Sequence, residues 1–322
     1  MKILITRPFG PHLVNMLREG GHEVLMAAED SPQAAAAIRA AGQDAAGMIA
    51  FVTDRIDGAF LDAHRSLRAV SNVGVGFDNI DVAACTARRV GASNTPGVLT
   101  DATAETAWTL IMMAARRAGE AERAVRAHQW TGWGPLSFVG ANVIGATLGI
   151  VGAGRIGSRV ARLGVGFGMK VLYHNRRRQA EMAALGAEYL SLDDLLRQSD
   201  FVSLHVPLSK ETRHLIGAAQ LALMKPTASL INTARGPVVD EAALVEALKT
   251  RRIYAAGLDV YEKEPTLHPG LYELENVVLL PHIGSATMAT RRRMSELAAA
   301  NLLAMLAGKR PPAPLNPELW PA

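Results

Sequence analysis

Short apolar runs alternate along the chain with longer stretches of helical period, and the alternation begins at once. Residues 2–6 (KILIT) read as a strand, 9–19 as a helix, 23–27 as a strand and 32–41 as a helix, with further strands at 48–51 and 67–73. That rhythm predicts a mostly parallel sheet. Residues 101–117 form one long helix, with Thr100 or Asp101 able to cap its start and Ala104, Trp108, Ile111 and Ala115 on its apolar stripe. A second series opens with a strand at 148–151 and a helix at 155–166. It continues with strands at 170–173, 201–205, 229–232, 255–260 and 277–280, separated by helical stretches. Residues 288–307 make a last helix before a proline-rich, extended end.

A chain of 322 residues has room for two such α/β domains. Hydrophobic residues at 49% and charged residues at 20% are globular proportions. No apolar run is long enough to span a bilayer and the N-terminal residues lack the features of a secretory signal, so a cytoplasmic protein without a membrane partner is expected. Cys85 is the one cysteine, which excludes a disulfide framework and a cysteine-rich metal site; no metal is expected. The net charge of +4 favours small anionic ligands. The basic runs at 176–178 and 291–293 have no interleaved aromatics, so no nucleic-acid partner is expected.

The stretch 148–157 (LGIVGAGRIG) joins an apolar strand to a helix start through Gly152, Gly154 and Gly157. The first glycine permits the tight turn, the second lets backbone approach a pyrophosphate, and the third lets the helix pack on the strand. The strand before it, the helix after it and the next strand make this a dinucleotide site. An acidic residue should end that next strand and hold the ribose hydroxyls. Here 171–178 reads VLYHNRRR, with Asn175, Arg176 and Arg177 in its place. Guanidinium groups there suit a 2′-phosphate, so NADPH/NADP is expected, with NADH accepted less well. The plain alternative is an exposed basic loop beside a permissive NAD site.

Three ionisable residues follow later strand ends: Arg235, Glu264 and His282. Their roles suit reduction of a 2-keto acid. Arg235 holds a carboxylate and polarises the keto oxygen, His282 donates the proton, and Glu264 orients His282 and raises its pKa. Each alone is equally compatible with a structural role.

Taken together, 232–240 (NTARGPVVD), 257–265 (GLDVYEKEP), 281–285 (PHIGS), 72–81 (NVGVGFDNID) and 94–100 (NTPGVLT) resemble the D-isomer-specific 2-hydroxyacid dehydrogenases along nearly the whole chain, most closely their glyoxylate/hydroxypyruvate reductase branch. The resemblance implies two Rossmann-like/flavodoxin-like doubly wound parallel-sheet domains with a cleft between them. A substrate domain of residues 1–99 plus 287–322 would flank a dinucleotide domain of residues 100–286. It implies that the amides around Val75 and Gly76 hold the substrate carboxylate, and that Asp259 and the Thr233 backbone hold the nicotinamide carboxamide. Arg155 and Ile156 would face the pyrophosphate, Val206 and Pro207 would border the adenine, and Thr103, His282 and Gly284 would lie near the cofactor. Val52, with Thr53 and Asp54, would bound the small 2-keto/2-hydroxy acid. The segment 129–135 (QWTGWGP) resembles the family's dimerisation arm, which implies a homodimer and Trp133 reaching the partner's site; its alternative is a packed surface loop. His205 is expected to be a strand residue rather than a catalyst.

Rival activities remain at this point. Formate dehydrogenases of the superfamily carry Gln where Glu264 stands, and phosphoglycerate dehydrogenases carry an acid after the second strand. The three catalytic residues do not exclude phosphite oxidation. A nucleotide-sensing binding module without catalysis is the rival of a different class.

Overall fold

The computed structural model describes residues 1–320. Two compact units emerge: Met1–Leu99 joined by the segment that begins at Ser285, and Thr100–Gly284. Each has one sheet, and every strand pair in both is parallel.

The first unit contains β1 (Lys2–Ile5), β2 (Glu23–Met26), β3 (Gly47–Ala50), β4 (Ala69–Asn72) and β5 (Gly91–Ser93), in the order β2-β1-β3-β4-β5. β5 is not apparent in the sequence pattern because Gly-Ala-Ser is too short to carry a period. Its outer edge is covered by the C-terminal segment. Leu315 N–H donates to Ala92 O at 2.8 Å, and Asn316 accepts from Ala92 N–H at 2.9 Å while donating to Val90 O at 2.9 Å. The proline-rich end is therefore extended along β5 before a 3-10 turn at Pro317–Leu319. Covering the edge removes a row of unpaired amides.

The second unit contains β6 (Thr147–Val151), β7 (Lys170–His174), β8 (Glu188–Tyr189), β9 (Phe201–Leu204), β10 (Ser229–Asn232), β11 (Ala255–Leu258) and β12 (Val277–Leu279), in the order β12-β11-β10-β9-β6-β7-β8. β8 is two residues long and likewise escapes a sequence reading. The expected strand at 255–260 stops at Leu258, and that at 201–205 stops at Leu204. Neighbouring strand residues divide between two cores. Leu230 joins Leu172, Val202, Leu204 and Leu258 on one face, while Ile231 joins Leu148, Ile150 and Tyr173 on the other. A sheet buried on both faces reads as continuous apolar runs, which is why its central strands are legible in the sequence.

The helix Thr100–Ala115 lies on the second face. Its stripe of Ala104, Trp108, Ile111 and Ala115 is buried. A Cβ on Gly257 would lie 2.9 Å from Leu110 Cβ, so the missing side chain lets helix and strand approach. Thr100 is the first helical residue rather than a cap, and Asp101 in the first turn pairs with Arg159 at 2.7 Å. No helix among the described residues is long and apolar enough to cross a membrane.

Candidate active site

The chain leaves β6 and crosses to β7 on one side, while β9 lies on the other, so the sheet reverses direction of winding beside β6. Ligands of such sheets sit at the carboxyl ends of the strands there. The three glycines of the turn after β6 have distinct reasons. Gly152 has φ +95°, and a Cβ on it would lie 2.7 Å from the His205 carbonyl carbon. A Cβ on Gly157 would lie 2.0 Å from Gly152 O. Gly154 faces open space, with nothing within 4 Å of its hypothetical Cβ. Two glycines therefore serve the fold, and the third keeps a cradle clear at the start of the helix Arg155–Gly166, where amides and helix dipole favour an anion. Arg155 is exposed and Ile156 half-buried in that first turn. The cradle fits a pyrophosphate.

After β7, Asn175 donates to Arg177 O at 3.1 Å and its own carbonyl accepts from Tyr189 Oη at 2.9 Å. Its side chain shapes the loop. Arg178 stacks over the Tyr189 ring at 4.9 Å, whereas Arg176 and Arg177 project into solvent. The chain carries no Asp or Glu at 171–179, while Glu211 from a later loop feels the Arg176 charge. Val206 and Pro207 follow β9. His205 lies one residue beyond that strand, and its Nε2 meets Ser203 Oγ at 2.9 Å. Burial pushes its pKa down to about 3, so it is a neutral group unsuited to proton donation.

Arg235, Glu264 and His282 follow β10, β11 and β12, three adjacent strands. Adjacency brings together residues far apart in sequence. Asn232, at the end of β10, shapes the Arg235 turn: it accepts from Ala234 N–H at 3.0 Å and donates to Arg235 O at 2.9 Å. Thr233 Oγ1 beside it is buried without a hydrogen-bond partner, an orphaned polar atom at the end where a ligand belongs. Asp259, buried just past β11, accepts from Ile283 N–H at 2.7 Å and Gly284 N–H at 2.8 Å. These bonds fix the turn that presents His282. A Cβ on Gly284 would meet Asp259 Oδ2 at 3.1 Å and Thr103 Cγ2 at 3.5 Å, so Thr103, Asp259 and Gly284 form one cluster.

His282 Nδ1 lies 2.8 Å from Glu264 Oε2, and Tyr261 N–H donates to Glu264 Oε1 at 3.0 Å. Both carboxylate oxygens are therefore committed, and Nε2 of His282 is left for a ligand. His282 holds φ +55°, a left-handed conformation that costs on the order of 1 kcal/mol and aims the ring. Burial pushes the Glu264 carboxyl up, but the bond and charge of His282, the Tyr261 amide and the Arg235 charge outweigh it, and the group ends below its usual range. Burial also pushes Asp259 up; there it prevails over the two amide donors and the His282 charge. The two carboxyls are thus pushed in opposite directions, Glu264 down by its partners and Asp259 up by burial, as at sites of proton chemistry.

The first unit holds a different constellation. After β4, three successive peptides have their carbonyls gripped. Gly74 O accepts from Thr95 N–H at 2.9 Å, Val75 O from Asn94 Nδ2 at 2.7 Å and Gly76 O from Asn72 Nδ2 at 2.8 Å. A trans peptide points N–H opposite to C=O. The Val75, Gly76 and Phe77 amides are therefore turned away from these grips, an arrangement that suits an anion. Val52 packs beside this turn, 3.2 Å from where a Gly74 Cβ would stand. Asn79 ties the loops together by donating to Phe51 O at 3.0 Å and Asp54 O at 2.9 Å. Asp54 is buried against Thr6 Oγ1 and Arg39, so it braces the loop, whereas Thr53 is exposed and meets Arg7. Asn72, Asn94 and Thr95 escape a functional reading of the sequence because their work is done on carbonyls they do not neighbour.

Trp133, placed in the arm by sequence, lies in the irregular segment between the helix Ala118–Arg126 and β6. It is 86% exposed, and Trp130, Leu136, Val139 and Ile144 along the same segment are also exposed. This segment leaves five large apolar side chains uncovered.

The family model for the D-isomer specific 2-hydroxyacid dehydrogenase NAD binding domain matches residues 108–284, the segment that carries the glycine turn and the three strand-end residues. A glyoxylate reductase of Thermococcus onnurineus is 47% identical over 99% of this chain and 96% of its own. A solved structure of a Thermus thermophilus protein superimposes with a TM-score of 0.90 at 42% identity, covering 98% of this chain and 100% of that one. An NADPH-dependent glyoxylate/hydroxypyruvate reductase from Sinorhizobium meliloti, solved with NADP and malonate, gives 0.88 at 34% identity, covering 100% and 98%. The ligand that fits the glycine cradle is therefore a nicotinamide dinucleotide. Matched in its cofactor domain by the family model and nearly half identical to a member from end to end, the chain belongs to the D-isomer specific 2-hydroxyacid dehydrogenase family, glyoxylate reductase branch.

Proposed function

We propose that the protein reduces glyoxylate, and hydroxypyruvate beside it, to the D-2-hydroxy acid, and that it prefers NADPH. The observation that carries the chemistry is the 2.8 Å contact of His282 Nδ1 with Glu264, which leaves Nε2 to act on substrate. The choice of glyoxylate rests on relatives such as the Thermococcus onnurineus enzyme, which bears that name. The choice of NADPH rests on the basic loop after β7, where Arg176 and Arg177 replace an acid.

When bound, the cofactor supplies a hydride to the keto carbon. Arg235 polarises the keto oxygen and pairs with the substrate carboxylate, and the Val75 and Gly76 amides form an anion-holding turn of the first unit. His282 gives its Nε2 proton to the oxygen as the C–H bond forms, and Glu264 keeps the Nδ1 proton in place throughout. The product is the neutral hydroxyl, so charge balances at the reacting carbon. Val52 bounds the acid. The Gly152, Gly154, Arg155, Ile156 and Gly157 turn holds the pyrophosphate, Asn175 shapes the ribose loop, and Val206 and Pro207 flank the adenine. Thr103, Thr233, Asp259 and Gly284 hold the carboxamide end. The exposed arm pairs two copies into a homodimer, and Trp133 completes the partner's substrate site.

Steady-state kinetics with glyoxylate, hydroxypyruvate, pyruvate and phosphite, each with both cofactors, test the reading. The highest kcat/KM is expected for glyoxylate with NADPH. Turnover of phosphite above the keto acids, or none of any acid alongside tight cofactor binding, overturns it.

A further inference from the structure

The loop that carries Glu264 is held by groups outside the acid pair. It leaves β11 at Leu258 and passes Tyr261 and Glu262. On one side Gly236, next to Arg235, lies against it. A Cβ there would fall 1.8 Å from the Tyr261 carbonyl carbon and 2.4 Å from the Glu262 nitrogen. On the other side stands Glu241, the buried first residue of the helix Glu241–Lys249. Its Oε1 accepts the Glu262 N–H and its Oε2 the His268 N–H at 3.1 Å. The bond is returned: Glu262 Oε1 accepts the Glu241 N–H at 3.1 Å and lies 2.9 Å from His214 Nε2.

The helix does not need the Glu241 carboxylate for its own start, because Asp240 already caps it by accepting Ala243 N–H at 3.0 Å. A buried carboxylate kept from solvent and aimed at a loop calls for another reason. The loop supplies one. Tyr261 N–H holds one oxygen of Glu264 and His282 holds the other, so whatever fixes the backbone at 261–262 also fixes the rotation of that carboxylate. Tyr261 Oη extends the same brace to Leu280 O at 2.8 Å, two residues before His282.

We propose that Glu241 is a positioning residue: by gripping the Glu262 and His268 amides at the two sides of Glu264, it sets the orientation in which Glu264 meets His282. The proposal rests on the reading of Glu264 and His282 as the acid pair. It takes no part in binding the substrate, so its loss should fall on kcat.

The test is a double-mutant cycle. Glu241→Ala should lower kcat for glyoxylate by about tenfold to a hundredfold, with KM and the NADPH dissociation constant within about threefold. Glu241→Gln, which keeps one accepting oxygen, should fall between this variant and the wild type, and it carries the cycle if the alanine variant does not fold. In the Glu264→Gln background, either change should cost less than about twofold further, because the group it positions is gone. Losses that multiply in the double variant overturn the proposal, as does wild-type kcat in Glu241→Ala. Wild-type kcat in Glu264→Gln is a separate result, which refutes the acid pair itself and this inference with it.

Discussion

The seven-stranded sheet has two working ends along one edge, and they are built by opposite means. After β10, β11 and β12 the work is done by side chains that bind one another. His282 leans on Glu264, Glu264 on Tyr261, and the His282 turn on Asp259. After β6 and β7 the work falls to backbone freed by glycine, and Arg176 and Arg177 are exposed, with the Arg176 charge within reach of Glu211. A network of side chains fails together when one member is removed. A backbone cradle with independent charges loses its parts one at a time. Substitutions should therefore couple at the first end and add at the second.

The largest effect should come from the coupled end. His282→Ala should lower kcat for glyoxylate reduction by about a thousandfold, within the range for loss of a general acid. NADPH affinity should stay within a few-fold, because the cradle does not depend on the ring. Stopped-flow turnover with fluorescence titration of NADPH separates the two. A matched loss of cofactor affinity would erase the contrast between the ends.

The cradle itself can be divided next. Gly157→Ala puts a methyl 2.0 Å from Gly152 O, where backbone must move; both thermal stability and cofactor binding should fall, the latter by about a hundredfold. Gly154→Ala meets no protein atom, so the fold should survive. Its methyl occupies the space of the pyrophosphate, and NADPH affinity should fall by about tenfold or more at unchanged melting temperature. Calorimetry of binding and of unfolding on the same samples decides this. Equal melting losses in the two variants would show that both glycines serve packing alone.

This contrast also explains what the sequence reveals. The cradle is legible because its requirements are local: a strand, three glycines and a helix within 148–166. Arg235, Glu264 and His282 are legible as residues after strand ends, but the contact of His282 with Glu264 and the reach of the Arg235 charge depend on β10, β11 and β12 being neighbours, which no spacing states. The braces are illegible. Glu241 looks like an ordinary acid in a helix's first turn, and Asn94 like a polar residue after a three-residue strand, until their bonds to distant backbone appear. Strands β5 and β8 are missed for a simpler reason: three and two residues give no period.

The independent charges should produce a smaller, separable change. Arg176→Ala with Arg177→Ala should reduce the ratio of kcat/KM for NADPH over NADH by about tenfold to a hundredfold, with kcat for NADH nearly constant. The two single losses should sum in free energy. The NADPH preference should also shrink as salt rises, since both groups are exposed. A ratio unmoved by the double change would assign the basic loop to the surface rather than to the cofactor.

The smallest effect returns to the coupled end and concerns pH. Glu264 is held below its usual range, so its interactions stabilise the fold above the carboxylate's unfolded value, and that contribution disappears as pH falls through the folded value. Asp259 has the opposite sign: its folded value is raised, so keeping it ionised opposes folding at neutral pH, and protonation relieves that burden on the way down. Wild-type protein carries both contributions, and they oppose each other at neutral pH. Glu264→Gln removes the first and, by taking away a like charge, lessens the second. The advantage of wild type over this variant should amount to about 1 kcal/mol at pH 7, or roughly 2–4 °C in melting temperature, discounted because both side chains of the pair are about one-third exposed. That advantage should shrink towards zero below pH 4. Thermal unfolding of the two proteins across pH 3–7 reads the difference directly. A gap that widens in acid would mean the Glu264 carboxyl is not held ionised by its neighbours, and the pairing that distinguishes this end of the sheet would lose its electrostatic basis.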